Sequence, residues 1–195
     1  MPGSADLSVL ERPVLEAAPL LLGAVLRHDG VAVRITEVEA YAGEADPASH
    51  AGRGMTPRSA VMFGPAGHLY VYLAYGANFC ANVVTGPEGE ASAVLLRAGE
   101  VIEGLELAQA RRGTSVKREL ARGPGRLCSA LGIRLRDNRT DLRVGPVTLE
   151  LGVPVDPALV STGPRVGVSK AADVPWRFWL TGDPTVSAYR SGAKG

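Results

Sequence analysis

The order of apolar and polar positions predicts a short helix followed by a β-hairpin at the start of the chain. Residues 13–22 carry apolar positions at helical spacing after an early proline, and Pro19 marks a kink or an end of that helix. Residues 23–41 follow as two β-prone runs. Asp29 and Gly30 join these runs, and this dipeptide is typical of tight hairpin turns.

The middle of the chain predicts an antiparallel meander. Thr56 and Pro57 form a helix-start signal, after which we expect a short helix. The run 68–84 is rich in aromatic and β-branched residues and is interrupted at 75–78, and the run 91–98 supplies a further strand. Three successive β-runs separated by short turns favour antiparallel pairing.

The last part of the chain mixes helical and short β-patterns. Apolar positions recur at helical spacing over residues 101–112 and 124–131. Short β-runs follow at 144–155 and 176–180, separated by glycine and proline. We therefore predict an α+β fold with a mostly antiparallel sheet, as a single domain over residues 1–195 with short flexible termini.

The composition is typical of a globular protein outside membranes. Hydrophobic residues make up 46% of the 195 residues, and no apolar run approaches the roughly 20 residues of a membrane-spanning helix. The first residues lack the pattern of a secretory signal, so we expect a cytoplasmic protein without a membrane partner. Two cysteines, Cys80 and Cys128, are too few for a disulfide framework or a cysteine-rich zinc site.

The net charge of +1 hides a strongly basic segment. Residues 111–143 hold ten arginines and lysines and three acids, which leaves a local charge of +7. Such a segment is either an ordinary solvated surface or a site for a polyanion, and the composition leaves both readings open. If the segment binds nucleic acid, we expect phosphate contacts from Arg122 and Arg126.

The second arm of the first hairpin ends in acidic residues. Strand side chains alternate between faces, so one face is predicted to carry, in order, Val31, Val33, Ile35, Glu37, Glu39 and Tyr41. A carboxylate that continues a buried face must be paired, be solvated by a cleft, or serve chemistry, because a lone buried charge is costly. Arg97 ends another apolar run and is a candidate partner for Glu37 or Glu39.

Other residues are candidates for a functional site, although each also has a purely structural interpretation. His50 lies in a glycine-rich loop, Tyr75 lies at the predicted turn, and Asn82 interrupts an apolar strand and so needs hydrogen-bond partners. The chain has no phosphate-binding loop, no HExxH motif and no nucleophile elbow. All lysines lie outside the acidic and aromatic region, so a Schiff-base mechanism has no evident nucleophile. These are Lys117, Lys170 and Lys194.

Four ordered segments resemble the mammalian-type 3-methyladenine (alkyladenine) DNA glycosylases, a family with many bacterial members. They read EVEAYAGEADPASHAGRGMTPRS, MFGPAGHLYVYLAYGANFCANVV, AVLLRAGEVIEGLE and ARGPGRLCSALGI, and the likeness runs from about residue 15 to about residue 190. The resemblance implies a monomeric base-excision-repair enzyme with a curved antiparallel sheet flanked by helices. Such an enzyme acts at the bacterial nucleoid, flips a damaged purine from double-stranded DNA and hydrolyses its N-glycosidic bond without a metal or other cofactor.

The resemblance also implies roles for individual residues. Glu39 matches the general base that activates a water, and Arg97 matches a residue that holds this water and the glutamate. Tyr75 matches a wedge that fills the vacated base stack, and Asn82 matches a residue that discriminates among purines. The residues that match the aromatic and imidazole walls around the flipped base are Tyr41, His50 and Tyr72. The family pattern is broken at Gly52, Met55, Ala77 and Asn78.

Two other classes of protein fit part of the sequence. A non-catalytic nucleic-acid-binding module would use the basic segment and the tyrosines without cleaving a bond. A hydrolase of small nucleosides or glycosides would use Glu37 and Glu39 as a carboxylate pair. The second class is disfavoured, because same-face neighbours on a strand are roughly 7 Å apart and point in parallel rather than across a scissile bond.

Overall fold

The computed structural model describes residues 6–74 and 77–192. Over these residues the chain forms three α-helices and eight β-strands, joined by loops and short 3-10 turns. The helices are α1 (Val14–Leu20), α2 (Leu105–Arg112) and α3 (Pro124–Leu131). The strands are β1 (Val25–His28), β2 (Val31–Tyr41), β3 (Leu69–Ala74), β4 (Asn78–Val84), β5 (Ala93–Glu103), β6 (Thr148–Glu150), β7 (Val160–Gly163) and β8 (Arg177–Leu180).

The strands form one antiparallel sheet. Six of them follow the order β3-β4-β5-β2-β1-β6, and β8 pairs with both β2 and β7. Strand β2 is central, because β5 pairs with most of its length while β1 pairs with its first half and β8 with its second half. Strands β3, β4 and β5 form the predicted meander. The prediction of an α+β fold with a mostly antiparallel sheet is confirmed.

Helices α1 and α3 pack on one face of this sheet and enclose the main hydrophobic core. Helix α3 begins at Pro124, a favoured first residue, and is followed by Gly132, whose φ of +75° is a left-handed conformation that suits glycine. Pro19 lies inside α1, which ends one residue later at Leu20. None of the helices in the described parts of the chain is long and apolar enough to cross a membrane.

A β-bulge interrupts strand β2 near its middle. Ile35 pairs with Gly99 of β5, whereas Glu37 pairs with the adjacent residue Ala98, so Thr36 is an extra residue on β2. The side chain of Thr36 is buried, and its hydroxyl lies 2.7 Å from that of Thr185. One extra residue on a strand shifts the alternation of side chains by one position.

The bulge moves the two glutamates to the face opposite the main core, which corrects the sequence prediction. Val33 lies in the main core before the bulge, and Val38 and Ala40 lie in the same core after it. Glu37 and Glu39 alternate with these two residues and therefore project to the other face. The prediction that the glutamates continue the apolar face of the strand is wrong, because that prediction assumed unbroken alternation.

Three further elements differ from the sequence prediction. Strand β5 continues to Glu103 and pairs with β2, so the helix predicted over 101–112 begins only at Leu105. A short 3-10 turn (Ala60–Phe63) replaces the helix predicted after Thr56. Strand β7 was absent from the prediction, because its conformation depends on pairing with β8 rather than on a local pattern.

Candidate active site

A pocket of about 660 Å³ opens on the face of the sheet opposite the main core. This volume is in the range of sites that hold a small molecule or a single base. Alternate residues of four adjacent strands form its floor, so the pocket is a direct consequence of strand register. The floor residues are Tyr70 and Tyr72 on β3, Asn78, Cys80 and Asn82 on β4, Ala93, Leu95 and Arg97 on β5, and Glu39 and Tyr41 on β2.

Glu39 is fully buried in the pocket wall and is held by three neighbours. The backbone N–H of Val166 donates to its Oε1 at 2.7 Å, and the Tyr41 hydroxyl donates to its Oε2 at 2.9 Å. Nη1 of Arg97 lies 3.4 Å from the same Oε1. Burial raises the pKa of Glu39, and these three neighbours oppose the rise. The result is a fixed carboxylate with a raised pKa, as a general base requires.

Glu37 is equally buried but is fully occupied by structural contacts. Its Oε1 accepts hydrogen bonds from Arg97 Nε at 3.0 Å, from Arg177 Nε at 2.6 Å and from the Ser187 hydroxyl at 2.9 Å. Its Oε2 accepts the Ser187 backbone N–H at 2.7 Å. Glu37 is also absent from the described wall of the pocket. The structure therefore gives no support to a hydrolase that uses Glu37 and Glu39 as a catalytic pair.

Arg97 joins the two glutamates. Its Nε contacts Glu37 and its Nη1 contacts Glu39, so the predicted pairing with one glutamate is present with both. The side chain is almost completely buried, and a buried arginine with two carboxylates is favourable only when its geometry is fixed. Arg97 is fixed because Arg177 and Ser187 hold Glu37 from the other side.

His50 lies against two tyrosines on the opposite wall of the pocket. Its ring packs edge-on against Tyr72 with centroids 4.5 Å apart, and its Nδ1 lies 2.9 Å from the Tyr70 hydroxyl. Burial of the ring and the nearby Arg58 charge lower the pKa of His50 to about 4, although part of the residue is exposed. The imidazole is therefore neutral at neutral pH. Tyr70 was not predicted as a site residue, although its position two residues before Tyr72 places both on one strand face.

Asn82 is buried in the floor of the pocket, with its Nδ2 donating to the Tyr70 carbonyl oxygen at 3.0 Å. This hydrogen bond links β3 and β4, and it gives the buried Asn82 side chain the partner that the sequence analysis expected. The pocket thus brings together all six residues predicted for catalysis and base binding. They are Glu39, Tyr41, His50, Tyr72, Asn82 and Arg97. Tyr75 lies outside the described residues, and its role as a wedge stays a prediction.

A buried ion pair between Arg165 and Asp46, which the sequence analysis did not predict, stabilises the site. The Arg165 guanidinium donates to both carboxylate oxygens of Asp46, at 2.5 and 2.9 Å, and to the Ala40 carbonyl oxygen at 3.0 Å. It also stacks on the rings of Tyr41 and Trp176, with centroids 4.7 and 5.2 Å away. Arg165 therefore ties the end of β2 and the loop that carries His50 to the segment that supplies the Val166 N–H.

Basic side chains lie at the rim of the pocket, but their charges are partly compensated. Arg122 and Arg126 both line the rim and both contact the Glu119 carboxylate, Arg122 at 2.9 Å. Lys170 lines the pocket as well, which corrects the statement that all lysines lie away from this region. The segment around Val166 folds back over Glu39, and this tertiary contact brings Lys170 to the rim.

Comparison with known proteins places the chain in a family. The family model of methylpurine-DNA glycosylase (MPG) matches residues 8–184. A protein of Nocardia farcinica is 59% identical over 89% of this chain and 86% of its own length, and one of Streptomyces avermitilis is 56% identical over 92% and 89%. A protein of Cutibacterium acnes is 50% identical over 93% and 98%. All three are provisionally named 3-methyladenine DNA glycosylases.

The chain belongs to the methylpurine-DNA glycosylase family. It is a DNA glycosylase, and its substrate is DNA in a repair reaction. Membership of an enzyme family excludes the non-catalytic binding module considered from the sequence.

Proposed function

We propose that the enzyme binds an alkylated or deaminated purine, flipped out of duplex DNA, in the 660 Å³ pocket and hydrolyses its N-glycosidic bond. The observation that carries this proposal is the fully buried Glu39 in the pocket wall. A buried carboxylate facing a cavity is costly unless its charge is used or compensated. Glu39 has one direct arginine contact at 3.4 Å, whereas Glu37 has two at 2.6 and 3.0 Å.

The arrangement around Glu39 suits proton abstraction from water. The N–H of Val166 and the hydroxyl of Tyr41 fix the two oxygens of the carboxylate, so no reorientation is needed during the reaction. Glu39 accepts a proton from a water whose oxygen bonds to C1′ of the deoxyribose. The C1′–N bond breaks, and its electron pair leaves with the purine. An alkylated purine that carries a positive charge is neutralised by this pair, which makes it a good leaving group.

The other walls suit a flat and electron-poor base. Tyr41 and Tyr72 present aromatic rings to the pocket, and such rings attract a cationic purine. His50 is neutral because its pKa is lowered, so it does not repel a positive charge. Asn82 places a polar side chain among these walls and is our candidate for discrimination among purines. Single-lesion duplexes with 3-methyladenine, 7-methylguanine, hypoxanthine or ethenoadenine test the substrate class.

We expect the excision rate to fall at acidic pH with an apparent pKa above 4.5. The value 4.5 is the ordinary pKa of a glutamic acid side chain. Glu39 must be ionised to accept a proton, and burial raises its pKa, so activity is present above this raised pKa and is lost as the pH falls through it. Burial and the nearby charge of Arg58 shift the pKa of His50 the other way, to about 4, so we assign a fall in rate above pH 4.5 to Glu39. Single-turnover rates from about pH 4 to about pH 8 measure the effect. A rate that is unchanged down to pH 4.5 contradicts the assignment of Glu39.

A further inference from the structure

Arg58 lies just outside the active-site pocket, beside the wall that contains Tyr72. It is exposed and is absent from the described lining of the pocket, but its guanidinium carbon lies 4.9 Å from the centroid of the Tyr72 ring. Two reciprocal hydrogen bonds fix the turn that carries Arg58. The Thr56 N–H donates to the Ser59 hydroxyl at 2.9 Å, and the Ser59 N–H donates to the Thr56 hydroxyl at 3.1 Å. The turn therefore holds Arg58 in place without needing its side chain.

Arg58 also acts on the Tyr70 hydroxyl, which in turn contacts His50. Burial raises the pKa of Tyr70, while a hydrogen bond from the Arg58 side chain and the Arg58 charge oppose the rise. A guanidinium has N–H donors and no acceptor, so it faces the oxygen lone pairs of this hydroxyl. The hydroxyl proton then points to Nδ1 of His50, which lies 2.9 Å from the oxygen. Nδ1 accepts this hydrogen bond only when it carries no proton.

This arrangement leaves the single proton of the neutral His50 ring on Nε2. Burial and the Arg58 charge lower the pKa of His50 to about 4, so the ring is neutral at neutral pH and has one N–H donor. Over residues 6–74 and 77–192, the contact with Tyr70 is the one side-chain hydrogen bond of this ring. His50 also lines the pocket, so its Nε2–H is left for a bound nucleotide.

We propose that Arg58 is a positioning residue that acts through Tyr70 to hold the proton of His50 on Nε2, as a hydrogen-bond donor to the purine in the pocket. This inference rests on the proposed function, because that function places the purine against His50. A neutral purine such as hypoxanthine takes the electron pair of the broken C1′–N bond and leaves as an anion, whereas a cationic methylated purine leaves neutral. A fixed donor stabilises the charge that develops on the neutral purine, so it assists that purine more.

The ratio of the single-turnover excision rates for hypoxanthine and 7-methylguanine measures this effect. Arg58→Met keeps a long side chain without a donor or a charge, and it should lower the ratio by about 2- to 10-fold, the usual contribution of one hydrogen bond. Arg58→Lys keeps a cation that only donates, and it should keep most of the wild-type ratio. The matched control is Arg53→Met, which removes the same charge from an exposed position in the same loop, outside the pocket lining, and should leave the ratio unchanged.

A double-mutant cycle tests whether Arg58 acts through Tyr70. Tyr70→Phe removes the hydroxyl that contacts Nδ1 of His50, so it should lower the ratio by itself, and Arg58→Met should then add nothing. A purely structural role of Arg58 would instead slow the excision of both lesions equally. An unchanged ratio in Arg58→Met overturns the proposal. A further fall of the ratio in the double variant also overturns it, because Arg58 would then act through its charge beside Tyr72.

Nitrogen NMR of the free enzyme tests the position of the proton without any excision, so failure of this proposal is distinguishable from failure of the proposed function. The chain has three histidines, His28, His50 and His68, and loss of a signal in His50→Gln identifies the ring. At neutral pH the wild type should show a protonated Nε2, and Arg58→Met should show a larger share of protonated Nδ1, because the Tyr70 hydroxyl can then accept from it.

A protonated Nδ1 in the wild-type enzyme, or identical spectra for the wild type and Arg58→Met, overturns the proposal even if the enzyme releases bases. The expected spectra in an enzyme that releases no base would support the assignment of the His50 proton and contradict the proposed function alone.

Discussion

Replacing Glu39 with glutamine should lower the single-turnover excision rate by about 10² to 10⁴-fold, the usual contribution of a general base. Glutamine keeps the size of the side chain, and its amide oxygen can still accept the Val166 N–H or the Tyr41 hydroxyl. It cannot accept a proton from water, so only the chemical step should be lost. Affinity for a lesion duplex should stay close to that of the wild type.

Glu37→Gln is the matched comparison, two residues earlier on the same strand. Glu37 accepts its hydrogen bonds from Arg97, Arg177 and Ser187, so its neutralisation leaves the buried Arg177 guanidinium without its carboxylate and leaves Arg97 with Glu39 alone. We expect this variant to unfold at lower denaturant concentration and to retain more activity per folded molecule than Glu39→Gln. Near-normal excision by Glu39→Gln contradicts the assignment of the base, whatever the result for Glu37.

Replacing Arg165 with leucine should lower the free energy of unfolding by about 3–5 kcal/mol, the usual cost of breaking a buried ion pair. Arg165 is 1% exposed and Asp46 is 0% exposed, so the variant leaves the Asp46 carboxylate buried without its cation. The change also removes the guanidinium that stacks on Tyr41. Equilibrium unfolding in urea or guanidinium chloride measures the loss.

Arg165→Lys is the control for this variant. Lysine keeps the positive charge, but it cannot form the two parallel bonds to Asp46 or stack as a plane between Tyr41 and Trp176. We expect an intermediate loss of stability. An unfolding free energy within about 1 kcal/mol of the wild type in Arg165→Leu would contradict the bracing role given to this residue.

Elements with local signals were predictable from the sequence. The turn at Asp29 and Gly30 and the limits of α3 at Pro124 and Gly132 depend on residues that fix their own backbone conformation. The bulge at Thr36 has no such signal, because it exists only in the pairing of β2 with β5. The glutamates were therefore identified as unusual and assigned to the wrong face.

Site residues that lie on a single strand were predictable from the sequence. Site residues that come from a distant, irregular segment were not. Alternation correctly places Tyr41 on the same face as Glu39, and the family resemblance assigned Tyr41 and Tyr72 to the pocket that both of them line. Val166, Arg165 and Lys170 come from an irregular segment whose position depends on contacts with Glu39 and Asp46, more than one hundred residues earlier. No local pattern indicates such contacts. The pairing of Arg122 with Glu119, three residues before it, was within reach of the sequence.

Base release from methylated duplex DNA tests the central claim most directly, when it is combined with borohydride trapping. If Glu39 activates water, the wild-type enzyme should release free methylated purine and leave an abasic site in an unbroken strand. No protein should be trapped on the DNA, and Lys170→Ala should behave in the same way even though Lys170 lines the pocket. A borohydride-trapped adduct that disappears in Lys170→Ala, or no base release by the wild type from any methylated duplex, would contradict the claim.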